Sequence, residues 1–547
     1  MSKKVKPSIP RGMRDILPDQ MVKRQYVIDV IREVFESFGF DAIQTPAIEK
    51  AETLLGKYGS EAERLIYSAS YGGDREKLML RYDLSVPLCR FVAMYPEIPR
   101  PFKRYHIAQV WRADRPQKGR FREFYQCDAD TVGSSSMLGD AETVAVIYTI
   151  LYRLGFRKFT THINNRKLLN GIGQYAGVPD SVLRGLYQSI DKLLKIGLEG
   201  VREELLSVGL PQDIQDSMRR VARLYLQGEI ALDEIGPRLR LEEVADPAYR
   251  GEEAASRIPF PADVAAVVEP VLRDTLARTA PGSVKPELLQ AVAGELIASA
   301  TPALREIYAP VTELIPVEAV DRMLALLQVQ GDNRTILSAL RAQLAGYPDA
   351  LEGIDELTAM FHYLDLLGVP ETHYRLDPSM ARGLEYYTGP IYETIVEEAN
   401  IGSITGGGRF DNLVGMFLGQ SVPATGTTIG IERIIVVMDE LGLFPPNVGT
   451  TTAEVLVTVF GSELVDASLE VAVELRKSGH NTQVYFDPVP LREQLGYAVK
   501  KGIPYVVILG PDEAAAGQVT VKCLSRNEQR VVSRDELSRA IRDWRDA

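Results

Sequence analysis

Arg112, Arg382 and Arg433 are the residues whose type and setting most readily do chemistry in this chain. Arg382 stands between a turn signal, Asp377-Pro378, and a tyrosine pair, Tyr386-Tyr387; three glycines, Gly406 to Gly408, follow. Arg112 ends the run K-R-Y-H-I-A-Q-V-W-R, and Arg433 ends G-I-E-R. A guanidinium is planar, permanently charged and matched to phosphate oxygens. Three of them on rigid elements suit a reaction that gathers negative charge, such as attack of a carboxylate on the α-phosphorus of ATP. That step needs no nucleophilic side chain; positioning, fixed cations and magnesium supply the rest. The run around Arg382, taken alone, fits a hairpin with a glycine turn and a solvated arginine equally well. No G-x-x-x-x-G-K-S/T occurs, and no G-x-G-x-x-G opens a strand–helix unit, so a nucleotide has to sit on an antiparallel sheet.

The elements that must position these groups can be read from periodicity. Residues 19–39 carry Val27, Val30, Ile31, Val34 and Phe35 at helical spacing, and Gly39 ends the run. Residues 78–83, 103–111 and 120–130 read as strands. The last two form an antiparallel pair, joined by a long basic loop with Pro116 and Gly119 at its turn. Residues 137–155 and 165–210 read as helix. From about 211 to 370 the pattern is helical with proline-marked breaks, such as Pro237, Pro281 and Pro302, and 246–262 reads as an exposed connector. Strand patterns resume only at 373, so this block is expected to be an inserted helical domain. Residues 391–397 and 401–405 alternate, and 424–440 read as a strand that turns into a helix near Gly430. After a linker at 442–452, strands alternate with helices, which implies a small α/β domain with a mixed, mainly parallel sheet.

Bulk properties narrow the class. A chain of 547 residues exceeds one core and suggests about three or four domains. Its net charge of −12 is no signature of a general nucleic-acid binder, although binding follows the local field. Locally, Arg100, Lys103, Arg104, Arg112, Arg115, Lys118, Arg120 and Arg122 alternate with Tyr105, Trp111 and Phe121, which is uncommon for a plain solvated face. Cys89, Cys127 and Cys523 are far apart, which argues against a disulfide framework or thiolate zinc site and fits a reducing cytoplasm. The five histidines are scattered, so a histidine metal site is not expected. No apolar run of membrane-spanning length and no secretory signal pattern is present.

These segments resemble a class II aminoacyl-tRNA synthetase, specifically the histidyl-tRNA synthetase family. R-G-M-R-D-I-L-P with the helix after it is similar to the family's dimer-forming first motif. F-K-R-Y-H-I-A-Q-V-W-R-A-D-R-P-Q-K-G-R-F-R-E-F-Y-Q-C-D is similar to the second, and A-T-G-T-T-I-G-I-E-R-I to the third. R-G-L-E-Y-Y-T-G and G-G-G-R-F-D resemble the two histidine-specific signatures. The likeness covers roughly 8–210 and 350–545. It departs from the family pattern at Ser85, at Phe410 and in the size of the helical insertion.

The resemblance implies an α/β fold with a class II catalytic core, an antiparallel sheet flanked by helices. It places that core at 1–170 and 371–441, a helical insertion at 171–370 and an anticodon-binding α/β domain at 453–547. It implies that Asp83, with Ser85 and Gln126, holds the substrate α-ammonium, and that Asp130, Tyr386 and Tyr387 read the imidazole. Arg112 grips the α-phosphate, Phe124 lies against adenine, and Arg120 and Arg433 hold the outer phosphates. Arg382 bridges the substrate carboxylate and the α-phosphate. Singly, each has a plainer reading: Asp83 and Asp130 as partners of arginines, the tyrosines on one strand, Phe124 in a core, Arg433 at the surface. The implied activity is ATP-dependent formation of histidyl-adenylate and its transfer to the 3′ end of histidine tRNA. ATP is a substrate, Mg2+ a cofactor, and no metal ligand is expected from the chain alone. Partners are histidine, histidine tRNA and a second copy in a homodimer; no membrane is involved, and the location is cytoplasmic. The alternative is a synthetase-like regulatory subunit of histidine biosynthesis, which lacks the C-terminal domain.

Overall fold

A computed structural model describes residues 6–58, 60–71, 76–117, 119–179, 183–190, 193–245, 257–279, 286–310, 312, 314–381, 386–399, 401–446 and 448–545. Its first helix, α1 (Pro18–Ser37), begins with proline at the position where a missing N–H costs nothing. Val27, Val30, Ile31, Val34 and Phe35 are buried along one stripe, as the spacing predicts.

Eight strands make the central sheet. In chain order they are β1 (Asp41–Ala42), β2 (Phe102–Trp111), β3 (Glu123–Val132), β4 (Phe159–Asn165), β5 (Tyr374–Leu376), β6 (Pro390–Val396), β7 (Thr405–Arg409) and β8 (Ala424–Ile429). In space they run β1-β2-β3-β8-β7-β6-β4-β5. The two edge pairs are parallel and the interior pairs antiparallel.

Register decides which side chains meet. Directly paired residues in an antiparallel ladder project from the same face. Arg104 pairs with Asp130, His106 with Asp128 and Ala108 with Gln126. On the other side of β3, Gly426 pairs with Asp130 and Thr428 with Asp128. Next in the row, Gly408 opposes Gly426 and Gly406 opposes Thr428. One face therefore carries a polar band from β2 to β7 whose far side is stripped of side chains.

Helices back the sheet. Helix α3 (Met137–Arg153) and helix α5 (Pro348–Leu366) pack against each other, and α5 also packs on α4 (Arg166–Ala176). Their apolar residues join those of α1 and the sheet in one core. Burial of this order, at about 25 cal/mol per Å² of apolar surface, dominates the favourable side of folding. The helical stretch is divided between two cores. Val320, Met323, Ile354 and Leu357 belong to the sheet's core, whereas Met218, Val221, Val268, Leu272 and Leu296 enclose a separate one. Of the connector expected at 246–262, residues 246–256 lie outside the described residues.

Three local readings differ from the structure. The strand expected at 401–405 forms at Thr405–Arg409, so the triple glycine is strand and not turn. Tyr386 and Tyr387 precede β6 instead of alternating on a strand. The segment 78–83 contributes only Leu78–Leu80, to a separate three-stranded sheet with Ile48–Lys50 and Ser68–Ala69.

The C-terminal sheet has β9 (Val455–Val457), β10 (Thr482–Val484), β11 (Tyr505–Ile508), β12 (Gln518–Cys523) and β13 (Glu528–Ser533), in the order β10-β9-β11-β12-β13. The pairs of β9 with β10 and β11 are parallel; those of β12 with β11 and β13 are antiparallel. The sheet is mixed, and half of it is antiparallel because β12 and β13 form a hairpin. Its core, from Val455 to Trp544, is its own. Among the described residues no helix is long and apolar enough to cross a membrane.

Candidate active site

A cavity of about 1290 Å³ opens over the polar face of the central sheet. Asp83, Ser85, Arg112, Arg120, Phe124, Gln126, Asp130, Tyr386, Tyr387 and Arg433 all line it, although they span more than three hundred residues of sequence. Arg382 lies outside the described residues.

One end of the cavity is acidic. Asp83 sits in the turn before α2 (Ser85–Met94), where its Oδ1 accepts from Val86 N at 3.1 Å and from the Tyr58 hydroxyl at 2.8 Å. The other oxygen, Oδ2, is buried with no hydrogen-bond donor. Burial pushes the Asp83 carboxyl up, partly opposed by those hydrogen bonds and by Arg112. Asp130 lies with Oδ2 2.7 Å from Nη2 of fully buried Arg104, an ion pair without an aligned hydrogen bond. Burial raises Asp130 to about 6, against the pull of Arg104. Asp128, unremarked in the sequence, is raised to about 8 by burial, with Arg104 opposing and Asp130 adding repulsion. Gln126 donates Nε2–H to Thr428 Oγ1 at 2.8 Å, and its Oε1 is buried without a donor.

Among the described residues two buried acceptors in this cavity, Asp83 Oδ2 and Gln126 Oε1, have no donor, and a third, Asp130 Oδ2, has only the unaligned Arg104 ion pair. Such atoms are expensive to leave unpaired, so the arrangement fits a ligand that brings several N–H groups and positive charge.

Tyr386 and Tyr387 close this end, rings 5.0 Å apart and edge to face. Both tyrosines are partly buried, and loss of water around the phenols pushes their pKa values well up, so both remain protonated and able to donate. Phe410 packs edge-on against Tyr386 at 5.9 Å and is itself buried. A phenol at that position would require a buried partner; phenylalanine does not. The glycines clear the floor. A Cβ on Gly426 would sit 2.0 Å from Asp130 Oδ1, and one on Gly408 would press the Tyr387 ring at 2.8 Å. A Cβ on Gly406 would meet nothing within 4 Å, because that position faces the open cavity.

The other end is cationic. Arg112 donates Nε–H to Tyr82 O at 3.0 Å, and its guanidinium lies over the Tyr82 ring at 4.3 Å and the Phe124 ring at 5.2 Å. Arg120 reaches Asp114 at 3.3 Å and is about half exposed. Arg433, in the first turn of α6 (Ile431–Leu441), donates to Ser403 O. Gly119 passes close to its side chain.

A buried clasp holds this end to the N-terminal segment. Glu432 accepts from Arg24 at 2.7 Å and from Arg14, whose guanidinium also covers the Phe121 ring at 3.7 Å. Tyr58, Asp128, Thr428 and this clasp were not singled out from sequence, and Arg104 entered only as one cation of a basic stretch. Tyr58 and Thr428 have no pattern around them, whereas the i, i+2 spacing of Gln126, Asp128 and Asp130 could have marked Asp128.

Among the described residues no three side chains form a cage for a metal ion.

The sheet, its helices and the cavity define an aminoacyl-tRNA synthetase of the second class. A family model described as histidyl-tRNA synthetase matches residues 12–250 and 267–434, and one described as an anticodon binding domain matches 454–544. Histidine–tRNA ligase from Gloeobacter violaceus is 36% identical over 549 residues, covering 95% of this chain and 94% of that protein. The same-named enzyme of Porphyromonas gingivalis is 35% identical, with 97% and 98% covered. The crystal structure of histidyl-tRNA synthetase from a Nostoc species superposes with a TM-score of 0.70 at 27% identity, covering 99% of this chain and all of that one. The chain belongs to the histidyl-tRNA synthetase family.

Proposed function

We propose that the chain is a histidine–tRNA ligase that joins histidine to the 3′ end of its tRNA through a histidyl-adenylate. What supports this most is the cavity itself, with the acceptors of Asp83, Gln126 and Asp130 and a phenol pair at one end, and at the other Arg112, stacked on Tyr82 and Phe124, with Arg120 and Arg433. In this reading Asp83 and Gln126 accept from the α-ammonium, with Ser85 beside them. Asp130 accepts from one imidazole N–H, and a tyrosine hydroxyl donates to the other nitrogen. That pattern rejects an amino acid lacking either group, because buried polar atoms would be left unpaired.

ATP lies with adenine against Phe124 and its phosphates among Arg112, Arg120 and Arg433. Arg382, from its place in the sequence, bridges the amino-acid carboxylate and the α-phosphate. A carboxylate oxygen bonds to the α-phosphorus as the bond to the bridging oxygen breaks and pyrophosphate leaves. The arginines stabilise the charge that builds on the non-bridging oxygens. When bound, magnesium neutralises charge on the phosphates. A hydroxyl of the terminal ribose then attacks the carbonyl carbon, and AMP departs. The 454–544 domain would carry the second tRNA contact. A homodimer and a cytoplasmic location belong to the same reading.

Histidine-dependent ATP–pyrophosphate exchange by the purified chain tests it. Exchange with histidine and with no other amino acid is expected. A folded chain without exchange would favour the regulatory alternative, which the C-terminal domain already speaks against.

A further inference from the structure

Asp128 and Thr428 line the cavity, yet neither has a part in the scheme above. Their hydrogen bonds join them to a residue that does. The Thr428 hydroxyl donates to Asp128 Oδ1, and the same hydroxyl oxygen accepts Nε2–H of Gln126 at 2.8 Å. Thr428 and Asp128 are directly paired across β8 and β3, so the sheet ladder itself sets their contact. Gln126 follows two residues before Asp128 on the same face of β3.

A hydroxyl has a single proton. With that proton committed to Asp128, the Thr428 oxygen can only accept from Gln126. An ionised carboxylate enforces this direction; a neutral carboxyl, which burial favours at Asp128, keeps it when the proton sits on Oδ2 and Oδ1 stays the acceptor. Gln126 must then present its NH₂ to Thr428, and its Oε1 is left buried in the cavity without a donor. A reversed amide would set two acceptors, Oε1 and Oγ1, against each other. It would also turn the cavity acceptor into a donor.

Resting on the reading that an amino acid fills this cavity, we infer that Asp128 and Thr428 are positioning residues that fix the Gln126 amide, so that its carbonyl oxygen accepts from the substrate ammonium. Neither touches the reacting atoms. Their effect belongs to histidine affinity and not to ATP.

Exchange kinetics with separate KM values for histidine and ATP test the pair. Thr428→Val keeps the shape and removes the relay; KM for histidine should rise about tenfold or more, with KM for ATP unmoved. Thr428→Ser, which keeps the hydroxyl, should recover most of the loss. Asp128→Ala frees the Thr428 proton and should raise KM for histidine similarly. Combined with Thr428→Val it should add little, since both break one chain. If Thr428→Val does not fold, the serine and alanine variants carry the same comparison. Wild-type exchange with an unmoved histidine KM in Thr428→Val and Asp128→Ala overturns the relay alone. So do equal rises in both KM values, a serine variant no better than valine, or additive losses in the double variant. No exchange by the wild-type chain overturns the functional reading, and the relay with it.

Discussion

Gly406 and Gly426 face the same cavity with opposite consequences for a side chain. A Cβ at Gly426 collides with the Asp130 carboxylate at 2.0 Å, whereas one at Gly406 enters open space. Gly406→Val is therefore expected to fold with an unchanged thermal midpoint and to lose histidine-dependent exchange by about a hundredfold, an effect of the size that misplacement of reacting groups produces. A normal exchange rate in that variant would place the substrate elsewhere. At the cationic end, Arg112→Ala is expected to reduce kcat by about 10²–10³, the loss typical of removing one preorganised charge at a transition state. Lysine there should recover only part, because a point charge neither forks nor stacks on Tyr82 and Phe124. Arg112, Arg433 and the paired tyrosines were not decisive one by one, and stood out only because the motifs that carry them occur together in order along the chain. Tyr58 did not stand out, since its bond to Asp83 joins two segments with no shared pattern.

Elements meet through buried charge. Glu432, at the start of α6, is 7% exposed and holds Arg24 of α1, itself 4% exposed. Removing one partner of such a pair leaves a charge in low dielectric, at a cost of about 3–5 kcal/mol. Glu432→Ala should lower the thermal midpoint of the catalytic core and loosen the Arg14 segment, measured by proteolysis near Arg11. His106 on β2 gives a pH-dependent counterpart. It is 3% exposed, neither ring nitrogen has a hydrogen-bond partner among the described residues, and burial beside Arg104 and Arg81 depresses its pKa to about 3. The unfolded chain takes up that proton near pH 6.5 and the folded chain does not, so the contribution is complete above about 6.5 and is lost as pH falls towards 3. His106→Gln should remove about 2 kcal/mol of the stability difference between pH 7 and pH 5 in the catalytic core. Identical pH slopes for the two proteins would contradict the buried neutral imidazole. Element types were legible because period 2 and period 3.6 differ plainly. The shift of a strand to Thr405–Arg409 was not, because glycines read as turn until a facing strand needs a bare surface.

At the scale of the molecule, three cores are separate: the sheet with its helices, the 210–308 helical lobe and the C-terminal sheet. Deleting 453–547 should therefore leave adenylate formation largely intact and weaken tRNA charging far more. Equal losses in both assays would argue against a separable tRNA module. The helical block between 171 and 370 shows what a pattern alone conceals. Apart from the connector at 246–262 it reads as helix with proline breaks, yet helix α5 completes the catalytic core while the helices around Met218 and Leu296 stand on a core of their own.

The chain by itself determined the classes of element, the runs that carry the chemistry and the family they resemble, because these depend on residues near one another along the backbone. Only the tertiary structure decided that Gln126, Asp128 and Thr428 share hydrogen bonds, that Tyr58 braces Asp83 and that Gly406 lies bare beneath the cavity. Those contacts depend on strand register, and register is set by the packing of the whole sheet rather than by any single segment.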